Sequence, residues 1–215
     1  VDSGGAGDQG MMFGYACNEN DSFMPSAIYY SHKITKALSS ARHSGQEWMG
    51  PDGKAQVTVE YSSVNKPLRI SNVICSTQHS EDLKDNPGEV KKRVEKIIKP
   101  ELNGMFDKNT IFKVNPTGNF ITGGPDGDTG VTGRKIIVDT YGGYAPHGGG
   151  AFSGKDCTKV DRSGAYMARY LAKNIVASGV SQNATIQLSY AIGVKEPVSL
   201  YVYCDGKVRS DVSDW

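Results

Sequence analysis

Glycine clustering constrains this chain more than any other feature. Twenty-six of its 215 residues are Gly, well above the usual share of about 7%. Five fall between Gly4 and Gly14 and twelve between Gly118 and Gly154. The residues between them are varied, including Asp, Arg, Lys and Phe, so this is not linker composition. Glycine tolerates positive φ and close backbone approach, so such clusters mark turns or loops that wrap a ligand. A fold built on this sequence therefore needs rigid elements on either side of two ordered loop regions.

The remainder reads as ordinary globular protein. Charge nearly cancels, at a net +1, so no global field recruits nucleic acid or a membrane surface. Hydrophobic residues make up 38% and charged residues 22%, which excludes a disordered chain. No apolar run approaches the roughly 20 residues of a membrane span, and Val1-Asp2-Ser3-Gly4 does not open a signal peptide. The chain lacks an initiator Met, so a natural start is expected further upstream. Cys17, Cys75, Cys157 and Cys204 form no CxxC, nor any metal spacing with the four histidines. Reduced thiols in the cytoplasm are expected, with the sequons at Asn20 and Asn183 as chance matches.

Apolar spacing predicts a helix over 26–42 (Tyr30, Ile34, Leu38, Ala41) and strands over 56–61 and 69–75, joined through Val64–Pro67. A second helix opens at Asn86-Pro87-Gly88-Glu89 and stops at Pro100, and a short strand covers 110–114. Residues 118–133 read as an ordered loop, 135–141 as a strong strand and 142–155 as a second glycine loop. A third helix is expected over about 161–178, then strands over 185–192 and 198–204, with Asp205-Gly206 turning toward one more. This order implies an α+β fold of two units, helices laid on largely antiparallel sheets.

Gly149–Asp156, GGAFSGKD, nearly spells the phosphate loop GxxxxGK[ST], with Asp156 where a hydroxyl belongs. It reads either as a tight turn or as a phosphate cradle. An unrelated P-loop phosphotransferase is disfavoured by that missing hydroxyl. Residues 134–173 carry seven basic and three acidic side chains, a local excess suited to a polyanion or, at Arg169 and Lys173, to a solvated helix face. Asp161 reads as an N-cap or a Mg²⁺ ligand, Phe120 as core or as a stacking platform. Asp128, among glycines, suits a carboxylate that accepts from an ammonium or a ribose. Asp52-Gly53-Lys54 reads first as a hairpin-like turn.

Together, GAGDQGMMFGYACNE, STQHSE, NPTGNF, the run from Gly123 to Ser163 and SYAIGVKEP resemble the S-adenosylmethionine synthetase family, collinearly and over essentially the whole chain. The resemblance implies an α+β architecture of similar domains about a pseudo-threefold axis. Residues 1–121 would be the central domain with a preceding loop, and 122–215 an incomplete C-terminal domain. It implies attack of methionine sulfur on C5′ of ATP, then hydrolysis of the expelled tripolyphosphate, with Mg²⁺ and K⁺. The family's sites lie between subunits of a homodimer, often a dimer of dimers.

Carried over by motif, Lys54, Arg134, Lys135 and Lys155 are the catalytic cations. Asp8, Asp128 and Lys159 match methionine contacts. Asp52, Gly53, Lys54, Thr117, Gly118, Asn119, Phe120, Asp128, Arg134, Lys135, Ala151, Lys155 and Lys159 match ATP contacts, and Asp161 matches a Mg²⁺ ligand. Asn119 stands where the family usually has Arg. The family's HPDK segment, and the Glu that holds K⁺, belong to an N-terminal domain this sequence does not match. The chain alone is therefore expected to be inactive, or to be a non-catalytic ATP- or polyphosphate-binding subunit.

Overall fold

A computed structural model describes residues 4–63 and 66–209. Two compact units result, one formed by residues 26–130 and the other by residues 1–25 with 131–215. The second of these units is therefore discontinuous along the chain. The cause is β1 (Gly10–Cys17), which pairs with β5 (Asn183–Tyr190) far along the chain, Gly10 opposite Tyr190 and Cys17 opposite Asn183.

In the 26–130 unit, α1 (Ser26–His43) is followed by the hairpin β2 (Met49–Tyr61) and β3 (Pro67–His79), then α2 (Pro87–Ile98) and β4 (Ile111–Val114). β2 pairs antiparallel with β3, and β4 joins β3 in parallel. A register shift near Ser71 lets Ile70 and Val73, three apart, face the same core. Both helices pack on that face. Tyr30, Ile34 and Leu38 of α1 and Val90, Val94 and Ile98 of α2 bury against Val57, Ile70, Val73 and Cys75. Asn86 caps α2, its side chain accepting from the Glu89 amide at 3.2 Å, with Pro87 in the first turn. Pro100 ends the α-helix, but a 3₁₀ turn continues over Lys99–Leu102. The expected connection through Val64–Pro67 includes Val64 and Asn65, outside the described residues.

The other unit is a sheet in the order β1-β5-β6-β7, with β6 at Ser199–Cys204 and β7 at Lys207–Val208, all antiparallel. Asp205 and Gly206 connect β6 to β7 with φ of 47° and 78°, the positive pair of a type I′ turn. Against this sheet lies α3 (Val160–Ala177), burying Ala165, Ala168, Ala172 and Val176. Small residues bring the backbones together: a Cβ added at Gly14 would fall on the Ala168–Arg169 peptide.

The strand expected over 135–141 does not form. Those residues turn instead, with Asp139 N–H donating to the Lys135 carbonyl at 2.9 Å and Gly142 N–H to Ile137 at 2.9 Å. The β-branched run finds no ladder. The free edge of β1 is met instead by the buried Tyr141, whose hydroxyl accepts from the Tyr15 amide at 2.9 Å. β1 itself was not read from sequence. Arg169 secures its far end, donating to the carbonyls of Tyr15, Ser22 and Phe23.

None of the four cysteines forms a disulfide; Cys157 is exposed and the others are buried. No helix among the described residues is long and apolar enough to cross a membrane.

Two outcomes are expected. Gly14→Ala should cost about 3 kcal/mol in urea denaturation, because overpacking here has backbone on its far side. Burial also pushes the Cys17 and Cys75 thiols up to about 12 and raises the Tyr15 and Tyr141 phenols. Groups held neutral in the fold contribute stability that is complete below their unfolded values, about 8.5 for thiols. That stability is lost as pH rises toward the folded values. The urea midpoint should therefore hold from pH 7 to 8 and fall steadily above about pH 9; a flat profile to pH 11 would contradict it.

Candidate functional site

The residues singled out by sequence separate between the two units. In the β1/α3 unit, Asp8 lies in the loop before β1, exposed, its carboxylate accepting from the Gln9 amide at 2.8 Å. This loop is held down at Ala6, which donates to Val194 and accepts from Gly193. A Cβ on Gly5 would strike the Gly193 carbonyl, and one on Gly7 would lie 2.8 Å from the Thr158 carbonyl oxygen. The second glycine loop runs back over β1 and the start of α3. Gly148 sits on the Met11 carbonyl and Gly150 on the Asp161 carboxylate, so neither has room for a side chain. His147 Nδ1 accepts from the Gly149 amide at 2.7 Å and braces the loop.

Asp161 belongs to the first turn of α3, but Lys159 occupies the N-cap position, and no side chain caps the helix. Asp161 is therefore not the N-cap. Its carboxylate instead accepts from Lys155 Nζ in a part-buried ion pair. Arg162 donates to the Lys155 carbonyl at 2.6 Å and fixes the lysine's backbone. Lys159 is more open, 3.7 Å from Asp156 and donating to Thr158 Oγ1 at 3.1 Å. Hydrogen bonds from the Thr158 hydroxyl and amide hold the Asp156 carboxyl below the usual range. Asp156, standing where a P-loop has its hydroxyl, thus shapes the loop turn. Arg134 and Lys135 are exposed, and neither makes a side-chain hydrogen bond or ion pair among the described residues. Ala151 is half-buried, 2.8 Å from where a Cβ on Gly133 would sit.

The arrangement places Lys155, Lys159 and Arg162 around the positive end of a helix beneath a glycine loop, chemistry suited to an anion. Mg²⁺ is commonly held by one or two carboxylates plus substrate phosphates, so Asp161 fits as a single protein ligand. Among the described residues no group of three or more His, Cys, Asp or Glu could hold a metal ion without such help.

In the 26–130 unit, Asp52, Gly53 and Lys54 lie within β2, not in a turn: Gly53 and Lys54 pair with Thr77 and Ser76 of β3, and Asp52 sits at the irregularity just before them. Asp52 accepts the Gly124 amide at 2.9 Å, while Lys54 is exposed without a side-chain partner among the described residues. Thr117, Gly118 and Asn119 are exposed in the loop after β4, and Phe120 is half-buried. Asp128 is exposed beyond a 3₁₀ turn at Gly124–Asp126. Sequence reading missed the side chains that hold this loop: Asn115, Gln78 and His79. The period-two burial of Val73, Cys75, Thr77 and His79 was the signal that placed His79 inside.

Known proteins match the chain over almost all of its length. The family model for the S-adenosylmethionine synthetase central domain matches residues 3–120, and that for the C-terminal domain matches 122–214. S-adenosylmethionine synthase of Parvibaculum lavamentivorans is 58% identical over 213 residues, covering 96% of this chain and 54% of its own length. That of Rhodospirillum centenum is 57% identical over 209 residues, covering 96% and 53%. A solved S-adenosylmethionine synthetase from Campylobacter jejuni superposes with a TM-score of 0.88 at 41% identity, over 97% of this chain and 55% of that one. The chain thus spans about half the length of the relatives it matches. By these matches the chain belongs to the S-adenosylmethionine synthetase family.

Proposed function

We propose that this chain carries much of the ATP- and methionine-binding machinery of a methionine adenosyltransferase. In that reaction the methionine sulfur attacks C5′ of ATP and the C5′–O bond breaks. The electron pair leaves with tripolyphosphate, which water then cleaves to pyrophosphate and phosphate. A neutral nucleophile needs proximity, and the departing polyanion needs clustered cations. One observation carries the reading: Lys155 is fixed by Arg162 and Asp161 at the start of α3, beneath the Gly148–Gly150 loop.

On this reading Lys155, Arg134 and Lys135 take up charge on the phosphates. Lys159, at the mouth of the same loop, contacts phosphate and the methionine carboxylate. Lys54 serves the phosphates from β2, and Thr117–Phe120 receives the nucleotide, with Phe120 stacking on adenine. Asn119 offers that segment one cation fewer than the family's Arg. Asp8 and Asp128 accept from the methionine ammonium, Asp128 near the nucleotide as well. Asp161 would hold Mg²⁺, which when bound neutralises phosphate charge. K⁺ has no assigned ligand in this chain. A homodimer or dimer of dimers, with sites at the subunit interface, and a cytoplasmic location suited to cysteines outside disulfides complete the proposal.

A second reading is an ATP- or polyphosphate-binding chain without turnover, which needs only the same cations around Lys155. Both readings expect calorimetry to detect tripolyphosphate binding by the 215-residue chain. Lys155→Met should weaken that binding at least tenfold, since a charge-assisted contact contributes about 1.5–3 kcal/mol. The same polypeptide, given labelled methionine, ATP, Mg²⁺ and K⁺, should form no S-adenosylmethionine. Turnover by it would overturn the expectation that the chain alone is inactive, and unaltered binding by Lys155→Met would overturn the assignment of the lysine.

A further inference from the structure

In the 26–130 unit, the loop after β4 is fastened to three consecutive residues at the end of β3. Asn115 mimics a strand residue: its Oδ1 accepts from the Thr77 amide at 2.9 Å, and its Nδ2 donates to the Thr77 carbonyl at 3.1 Å. His79 holds Phe120 at both backbone groups. The His79 amide donates to the Phe120 carbonyl at 2.8 Å, and the Phe120 amide donates to His79 Nε2 at 3.2 Å. The Ser80 carbonyl, 2.9 Å from Nδ1, can only accept. The imidazole is thereby fixed with its proton on Nδ1 and Nε2 free to accept. Gln78 lies between them and donates from Nε2 to the Ile121 carbonyl at 2.9 Å. Its Oε1 accepts from the Asp52 amide at 3.3 Å, and the Asp52 carboxylate takes the Gly124 amide.

Space for this fastening comes from glycine. A Cβ on Gly123 would lie 2.7 Å from the Gln78 amide carbon and 2.9 Å from the Asp52 Cβ, and one on Gly50 would also strike Gln78. His79 is only 3% exposed, so an apolar replacement strands the Phe120 amide without its acceptor. The polar groups of Gln78 and His79 are thus directed at the backbone of residues 120 and 121, with Asp52 of β2 taking the amide of 124, while Thr117, Gly118 and Asn119 stay exposed beside them.

We propose that Gln78 and His79 are positioning residues that hold the Thr117–Phe120 segment in its nucleotide-receiving shape before the nucleotide arrives. The inference rests on the reading of that segment as nucleotide-binding. Preorganisation of this kind acts by removing an ordering cost from binding.

The test uses the full 215-residue chain, amide hydrogen exchange and calorimetry with the ATP analogue AMP-PNP. His79→Leu should raise exchange at Phe120 at least tenfold and weaken AMP-PNP binding about tenfold. His79→Gln, which keeps an acceptor within reach of the Phe120 amide, should restore most of both; loss of packing alone would not be rescued this way. If His79→Leu does not fold, Gln78→Glu, which turns the donor toward Ile121 into an acceptor, should loosen Ile121 and weaken binding in the same sense. AMP-PNP binding unchanged in a folded variant whose loop exchanges faster would overturn the inference and leave the nucleotide reading standing. Unchanged exchange would overturn it as well. No AMP-PNP binding by the unaltered chain would overturn the nucleotide reading, and the inference with it, whatever the exchange shows.

Discussion

The contact on which the β1/α3 unit depends is backbone on backbone: the α-carbon of Gly14 lies against the peptide joining Ala168 to Arg169. It sets how far α3 sinks onto the sheet. Ala165, Ala168 and Ala172 continue the same small-residue stripe, and Gly164 leaves room for Met12, whose Cγ would lie 3.1 Å from an added Cβ. Close approach of this kind maximises dispersion contacts and fixes helix register more strictly than long side chains do. Once α3 is seated, its first turn follows. Asp161 comes beneath Gly150, and the Gly148 backbone settles onto the Met11 carbonyl.

That placement decides the electrostatics. Asp161 and Lys155 are both part-buried, and a lone charge in either position would be costly. Paired, and with Lys159 set against Asp156 as well, they leave the start of α3 with a surplus of one positive charge, Arg162. Arg162 is engaged with the Lys155 carbonyl, so its contribution is held in a fixed geometry. An arriving polyanion would meet cations already in place, with little to reorganise. Gly148–Gly150 carry no side chain that could fill the space above Asp161.

Much of this was legible in the sequence. The apolar spacing of Tyr30, Ile34 and Leu38, the Asn86 cap with Pro87 behind it, and the Asp205-Gly206 turn are local signals, and the structure follows them. The exceptions have tertiary causes. Lys135–Tyr141 has the β-branched content of a strand, but strand propensity expresses itself only where an edge is available. The edge of β1 is taken by the Tyr141 hydroxyl instead. β1 itself, GMMFGYAC, does not alternate, because Tyr15, Ala16 and Cys17 are buried in succession. Asp52-Gly53 looked like a turn because Asp-Gly usually is one, yet pairing of Gly53 and Lys54 with Thr77 and Ser76 of β3 overrides that preference. The family motifs contain Gln78, His79 and Asn115 but say nothing of what they do, since these side chains act on backbone atoms 38 to 43 residues away.

The glycine excess that stands out in the sequence has two separate physical causes, and composition cannot tell them apart. At Gly149 an added Cβ would meet nothing within 4 Å, but φ is +95°; the demand is conformational, and an L-residue there pays roughly 1–2 kcal/mol for its own backbone. At the adjacent Gly150 no positive φ is involved, and an added Cβ would collide with the Asp161 carboxylate. Replacing Gly149 would strain the loop while leaving its contacts available. Replacing Gly150 would push the loop off α3 and disturb the Lys155–Asp161 pair beneath it. Adjacent glycines in one motif therefore serve different ends, one shaping the loop and the other letting it close onto the charges at the start of the helix.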